Sequence, residues 1–428
     1  MSLKPRSVFP SVKSVGSIKL QSVYRIWPNG RECSAQSSQF SNYPPILKIL
    51  FFIRSLDSGG AERQLVHLAK SLGEQGHEVV VMVMYSGGLL EQTLEQANVP
   101  VRALEKTSRW DLFRPLFRMI NTMREVNPEI LHSYMTEVNV ISIICKIVRP
   151  TILLVWGVRN AGLDRRMYGS LERTLAWLEK RCSSVPDLII ANSEAGRTLA
   201  IQEGFRGDHF EVVKNGIDTT RLFRDEGLRR EAREFWGVGN SEKVLGIVGR
   251  VDPQKDHENL ILAVSLLSEE QKNNIKVLCV GHDTDEQIAH LRLKCEQLGL
   301  KQKVIWVAKQ HNINKIFNAI DVLVSASNAE GFSNVIAEAL AVGVPCVATD
   351  VGDSKQIISE FGGVAPPKNP QALSQAIAAV LENIDLFTEE FRVSARSYIL
   401  ETFSIAKLSQ ETERLLQQLI SNNRTDVS

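Results

Sequence analysis

One stretch, residues 321–349, limits what this chain can fold into more than any other. The short apolar run Asp321-Val-Leu-Val324 reads as a buried strand. A loop carrying Glu330 and Gly331 follows, and a helix opens near Ser333 and Asn334. Gly343 and Pro345 stop that helix, and the apolar Cys346-Val-Ala-Thr349 returns as a second strand. This is a strand–loop–helix–strand unit with two carboxylates eight residues apart, Glu330 in the loop and Glu338 on the helix. The unpaired N–H groups of a helix start attract anions, and carboxylates accept hydrogen bonds from hydroxyls. The combination suits a ligand bearing both phosphates and hydroxyls, such as a nucleotide sugar.

The same alternation of strand and helix runs through the rest of the chain, which predicts an α/β protein with parallel sheets. Ile46-Leu-Lys-Ile-Leu-Phe-Phe-Ile53 is the first strand; Asp57-Ser-Gly-Gly-Ala-Glu-Arg63 turns into a helix with Leu65, Leu68, Ala69 and Leu72 on its apolar face. Gly59 and Gly60 allow a ligand to approach the backbone closely. Residues 243–256 open the second half: the strand Val244–Val248 delivers Gly249 and Arg250, and Pro253 stiffens the loop that carries Lys255. Arginine offers a planar two-pronged donor and lysine a compact charge, so the two can share one diphosphate; spacing alone would equally suit two solvated cations. Further strands end at His132–Tyr134, at Arg159-Asn160 and at Asn192-Ser193, with Glu137 and Asn139 expected on the loop after Tyr134. Helices are expected over 110–126, 167–182, 284–298, 371–382 and 404–420.

Four segments together resemble the retaining glycosyltransferases of the family 4 type: G-G-A-E-R-x-L from Gly59, V-x-x-N-G-I-D ending at Asp218, G-R-x-x-x-x-K from Gly249 to Lys255, and E-G-F-S-N-x-x-x-E-A-L-A-x-G-x-P-x-V-A-T-D from Glu330. The resemblance covers about residues 46–420 and implies the GT-B arrangement: two Rossmann-like domains facing across a cleft, with a terminal helix crossing back to the first. It implies that Glu330 holds hydroxyls of the transferred sugar and Glu338 the ribose. The backbone of Gly331, Phe332, Ser333 and Asn334 would receive the distal phosphate, and Gly249, Arg250 and Lys255 the leaving diphosphate, with Gly59 and Gly60 at the cleft beside the donor. Arg250, Lys255 and Glu330 are then the catalytic candidates, and Lys309 a contact to base or ribose, although Ala308 stands where the family usually has glycine. His132 matches the first histidine of the family's H-x-H, but Tyr134 stands at the second, so no catalytic histidine carries over. His132, Tyr134, Glu137 and Arg159 are acceptor-side candidates. The implied reaction is metal-independent transfer with retention from a UDP- or GDP-sugar, with no cofactor, to a glycan or lipid-linked glycan of surface polysaccharide or glycolipid synthesis. A GT-B epimerase and a non-catalytic partner subunit remain as alternatives. A nicotinamide dehydrogenase is disfavoured, since no G-x-G-x-x-G follows a strand.

Composition narrows the classes further. Of 428 residues, 50 are basic and 49 acidic, which argues against a nucleic-acid footprint. No apolar run reaches the length of a transmembrane helix, so a cytoplasmic protein is expected. The helix 110–126 carries Arg114, Arg118 and Arg124 beside apolar positions, a pattern suited to peripheral contact with the inner membrane face. The six cysteines (33, 145, 182, 279, 295, 346) are scattered without C-x-x-C, read as reduced core residues and suggest no metal site. Residues 1–45 are basic and Ser-rich with Glu32 as their one acid, and are read as a disordered extension, a targeting segment or an early-assigned start, dispensable for folding. The remaining boundaries are set at 46–218 for the acceptor-side domain, 219–400 for the donor domain and 401–428 for the crossover helix and tail.

Overall fold

Central strands that are apolar on both faces require helices on both sides of a sheet. The computed structural model, which describes residues 45–425 except 58, 109, 110, 112, 160–168, 240, 283 and 311, has that arrangement twice. The extension before Pro45 lies outside the described residues, as do Trp110 and Asn160.

The first half runs β1 (Lys48–Ile53), α1 (Gly60–Glu74), β2 (Glu78–Val83), α2 (Glu91–Gln96), β3 (Val101–Ala103), α3 (Phe113–Val126), β4 (Ile130–Tyr134), α4 (Thr136–Val148), β5 (Leu153–Val158), α5 (Ser170–Arg181), β6 (Leu188–Ala191), α6 (Glu194–Gln202) and β7 (Phe210–Val212). The second runs α7 (Glu226–Phe235), β8 (Lys243–Val248), α8 (His257–Ser265), α9 (Glu269–Asn273), β9 (Ile275–His282), α10 (Asp285–Gln297), β10 (Val304–Ala308), α11 (Ile313–Ala319), β11 (Val322–Ser325), α12 (Asn334–Val342), β12 (Cys346–Thr349), α13 (Ser354–Ile358), β13 (Gly362–Ala365), α14 (Pro370–Glu382), α15 (Glu389–Phe403) and α16 (Ile405–Thr425). The strands pair in parallel, in the orders β3-β2-β1-β4-β5-β6-β7 and β10-β9-β8-β11-β12-β13.

β1 shows how the layers form. Ile49, Phe51 and Ile53 meet Leu65, Leu68 and Leu72 of α1 and Leu408, Leu415 and Leu416 of α16. Leu50 and Phe52 point the other way, onto Met119 and Met123 of α3 and Val138 and Cys145 of α4. In the second sheet Leu245 and Ile247 face α8, α10 and α14, while Val244 and Leu323 face α7, α11, α12 and α15. Each sheet therefore reverses its winding once, between β1 and β4 and between β8 and β11. Connections leave such a point toward opposite faces, which opens a crevice at the carboxyl ends of the strands.

Two chain crossings join the sheets side by side. Ile217 donates its N–H to the Phe403 carbonyl at 2.7 Å and forms a parallel bridge with Ser404. Gln64 grips Gly216 in both directions at 2.8 Å, and a side chain at Gly216 would fall 2.9 Å from the Ile405 Cα. Arg396 donates to the carbonyls of Thr219 (2.8 Å) and Ala341 (2.7 Å). From Ser404 the terminal helix α16 packs back onto the first sheet through α1.

Two of the helices that the sequence reading did not expect show why. Residues after Tyr134, expected as a loop, form α4; its Val-rich and Ile-rich sequence favours a strand by propensity, but a parallel crossover from β4 to β5 needs a helix, and burial of Val138, Ser142 and Cys145 supplies the packing. Helix α15 was not anticipated, although its buried positions Ala395, Ile399 and Phe403 recur at helical spacing. Cys145, Cys279, Cys295 and Cys346 are buried free thiols and Cys182 is half-buried. Among the described residues no helix is long and apolar enough to cross a membrane.

Candidate active site

The second sheet's reversal point lies between the loops that follow β8 and β11, and these loops are stitched together. The Asn328 N–H donates to the Gln254 carbonyl at 2.7 Å, the Asn328 side chain to the Pro253 carbonyl at 3.0 Å, and the Gln254 side chain to the Ala329 carbonyl at 2.8 Å. This places the Lys255 ammonium in an ion pair with the Glu330 carboxylate, whose Oε1 also accepts from the Ser327 hydroxyl at 2.7 Å. Both groups are largely withdrawn from solvent, with side chains 21% and 8% exposed. Arg250 instead extends into solvent, 76% exposed, and touches Asp252 at 3.3 Å.

Helix α12 begins at Asn334 after Ser333, whose buried hydroxyl makes no capping bond and meets no partner among the described residues. Its first-turn N–H groups are thus unfilled by a side chain. One turn on, Glu338 lies nearly buried; loss of hydration raises its pKa, against the pull of Arg63 and Lys255. Phe332 turns away into the core, edge-on to Phe403 at 5.3 Å, so only its backbone is available to a ligand. Lys309 follows β10, two strands out from the reversal point, and its N–H donates to the His282 carbonyl at 3.1 Å. Gly249 closes β8 by donating to the Val280 carbonyl at 2.9 Å.

The first sheet presses against this half. Gly59 caps α1 without a side-chain bond, and a Cβ at Gly60 would lie 3.5 Å from the Asn334 amide nitrogen, so two helix starts converge. A Cβ at Gly331 would sit 2.9 Å from Asn192 Oδ1, which accounts for glycine there. Asp353 reaches across to accept from the Glu194 and Ala195 N–H groups at 3.2 and 3.1 Å, completing the start of α6, where the Ser193 hydroxyl accepts from the Gly196 N–H at 3.0 Å. Its own N–H donates to the Gly331 carbonyl at 3.0 Å. Arg63 of α1 stands 3.6 Å from Glu338.

The acceptor-side candidates divide. Tyr134 is fully buried at the end of β4, and Arg159 covers its ring at 4.5 Å while donating to its hydroxyl at 2.9 Å. Arg159 also donates to Asn215 at 3.3 Å, and Asn215 donates to Asn334 Oδ1 at 2.9 Å. A polar chain therefore runs from Tyr134 to the start of α12. Glu137, in the first turn of α4, pairs with Arg54 at 3.4 Å. His132 is enclosed between the rings of Phe51 and Tyr134, at 5.4 and 4.7 Å, and its nitrogens meet no partner among the described residues. Burial, with Arg159 nearby, holds it well below the usual histidine pKa, so it is a neutral core residue remote from solvent. Asn139, expected on a loop, is buried in α4 and bonded to Ser133, Gly157 and Glu179.

Four contributors escaped sequence reading: Arg63, Asn192, Asn215 and Asp353. Arg63 and Asn215 lie inside the G-G-A-E-R-x-L and V-x-x-N-G-I-D segments but carried no site role there, and all four act through contacts between distant segments. The assembled site combines buried opposite charges, two uncapped helix starts and a nearly buried carboxylate. Such a site can hold a diphosphate beside hydroxyl-bearing rings.

Residues 58–221 match the family described as Glycosyltransferase Family 4, and residues 229–397 that described as Glycosyl transferases group 1. An uncharacterized glycosyltransferase of Methanocaldococcus jannaschii is 31% identical over 48% of this chain and 53% of its own length. The lipopolysaccharide core biosynthesis mannosyltransferase LpsB of Rhizobium meliloti is 29% identical over 46% of this chain and 56% of its own. The chain thus spans little more than half the length of these curated relatives. A crystal structure of Anabaena HepE in complex with UDP-glucose superposes with a TM-score of 0.75 at 24% identity, covering 88% of this chain and all of that one (100%). That likeness carries the fold.

Proposed function

We propose that this chain, which belongs to the GT-B glycosyltransferases of the group 1 and family 4 type, transfers a glycosyl group from a nucleotide sugar with retention at the anomeric carbon. The observation that carries the reading is the meeting of Lys255, Glu330, the α12 start and Glu338 at the reversal point of the second sheet. In this reading the bond from anomeric carbon to diphosphate breaks, and the acceptor oxygen bonds to the same face of that carbon. The acceptor's proton passes to the departing diphosphate oxygen. Lys255, Arg250 and the α12 start stabilise the growing negative charge, preorganised groups acting where charge develops. Glu330 orients the sugar hydroxyls and Glu338 the ribose. The relative named as acting in lipopolysaccharide core biosynthesis supports a glycan or lipid-linked acceptor.

A thermal-shift panel of UDP-, GDP- and ADP-sugars tests the donor site, because a ligand that binds only the folded chain raises its Tm. A UDP- or GDP-sugar is expected to do so without added metal, since cations and helix ends already meet the diphosphate charge. Activity that vanishes in EDTA and returns with magnesium would refute metal independence. A product of inverted anomeric configuration, seen by NMR, would refute retention.

Peripheral membrane contact through α3 belongs to the same reading, and it rests on Phe113 and Phe117, 87% and 66% exposed. Arg114 and Arg118 both pair with Glu105, at 2.9 and 2.7 Å, which weakens a purely electrostatic attraction. Flotation with anionic vesicles is expected to be weak and to drop when both phenylalanines become serine. Equal flotation of the parent and the double variant would exclude α3 as the contact.

A further inference from the structure

We infer that Arg63, in the first turn of α1, is a positioning residue for the donor nucleotide: from the first domain it holds the Glu338 carboxylate ready to accept the ribose hydroxyls. The inference rests on the reading of Glu338 as the ribose contact and adds that the ribose site is completed by the opposite domain.

The geometry is specific to this pair. Arg63 Nη1 lies 3.6 Å from Glu338 Oε1, an ion-pair contact that leaves the second carboxylate oxygen to a ligand. The Arg63 Nε is buried and meets no partner among the described residues, which leaves the Glu338 carboxylate as the counter-charge this guanidinium touches. Its backbone is anchored: the Arg63 N–H donates to the Gly59 carbonyl at 3.2 Å, and the adjacent Gln64 clamps Gly216 at the domain crossing.

The chemistry explains why a cation is needed. Glu338 is 14% exposed, and burial favours its neutral form. A protonated carboxyl spends one oxygen as a donor, whereas an ionised one offers acceptor sites on both oxygens to two neighbouring hydroxyls. Two cations oppose protonation, Arg63 before Lys255. Lys255 is already committed to Glu330, so Arg63 is the cation assigned to Glu338. Because Arg63 and Glu338 belong to different sheets, nucleotide binding and approach of the two domains favour one another.

Calorimetric titration of the full chain with UDP, GDP and their 2′,3′-dideoxy counterparts tests this. The parent is expected to prefer the ribose form of the nucleotide it binds by roughly tenfold or more, the usual worth of hydrogen bonds to a charged group. Glu338→Gln and Arg63→Met should each abolish that preference, and the double variant should fall no further, as for two residues acting as one unit. Arg63→Lys should retain part of it, and provides the readout should Arg63→Met fold poorly. A merely structural role for Arg63 would weaken ribose and dideoxy forms alike. Full ribose preference in Arg63→Met, alongside its loss in Glu338→Gln, would overturn the inference while leaving the donor site standing. Preference retained by Glu338→Gln, or no binding of either nucleotide by the parent, would overturn the donor-site reading and this inference with it.

Discussion

Replacing Lys255 by alanine is expected to lower turnover by about 10²–10³-fold, the usual loss when one preorganised electrostatic group is removed from a reacting centre. The diphosphate becomes more negative as the sugar bond breaks, so the lost interaction is strongest in the transition state and the effect falls on kcat. Glu338→Ala should behave oppositely. Its ribose contact is similar in ground and transition states, so KM rises and kcat changes little. Steady-state donor hydrolysis measures both if no acceptor is in hand. The Lys255 change carries a second consequence, because it strands Glu330, 8% exposed, with Ser327 as its remaining named partner. Stranding a buried charge costs about 3–5 kcal/mol when burial is complete, and less at this partial exposure. Adding Glu330→Gln to Lys255→Ala should therefore restore the Tm while turnover stays low. Intact turnover in Lys255→Ala, with turnover abolished in Glu338→Ala, would mean that the diphosphate and ribose positions are exchanged.

The half of the candidate site built on the second sheet is legible in the sequence because its parts are local. Glu330, Gly331, Asn334 and Glu338 fall within one strand–loop–helix segment, and Gly249, Arg250 and Lys255 within another. What the sequence does not display is the seam between the sheets. Arg63, Asn192, Asn215 and Asp353 act through partners more than a hundred residues away, and no periodicity records such a contact. The segment Val351-Gly-Asp353, directly after the motif that begins at Glu330, shows this best, since nothing in its sequence marks a role. Gly352 has φ +58°, and a Cβ there would lie 2.4 Å from the carbonyl oxygens of Glu330 and Gly331, so glycine is needed. Asp353 next to it is the carboxylate that caps α6 of the other sheet. Met135 is a parallel case. It reads as an ordinary apolar residue, yet it takes φ +74° to start α4 beside Tyr134, a strained backbone at the first sheet's reversal point.

Asp321→Ala is expected to cost about 3–5 kcal/mol of folding stability, the range for removing one partner of a buried ion pair, and so to separate stability from chemistry. Asp321 precedes β11, where the sequence shows only the head of an apolar run. Its carboxylate accepts from Arg229, from Arg233 at 3.1 Å and from the Val244 N–H at 2.7 Å. The Arg233 and Asp321 side chains are 6% and 12% exposed, so the alanine variant leaves a guanidinium charge withdrawn from water without its counter-ion. It also removes the tie between the starts of β8 and β11, the two strands whose far ends carry Arg250 and Glu330. Against a typical total of 5–15 kcal/mol, such a loss leaves a substantial unfolded fraction near body temperature. Urea denaturation should show a lower midpoint with an unchanged m-value. The folded fraction should still bind the donor nucleotide, because Asp321 acts at the opposite ends of the strands from the site. Native-like stability of Asp321→Ala would mean that Arg229 and Arg233 keep their hydration in the folded chain. Loss of nucleotide binding from molecules that remain folded would instead place Asp321 among the groups that shape the site.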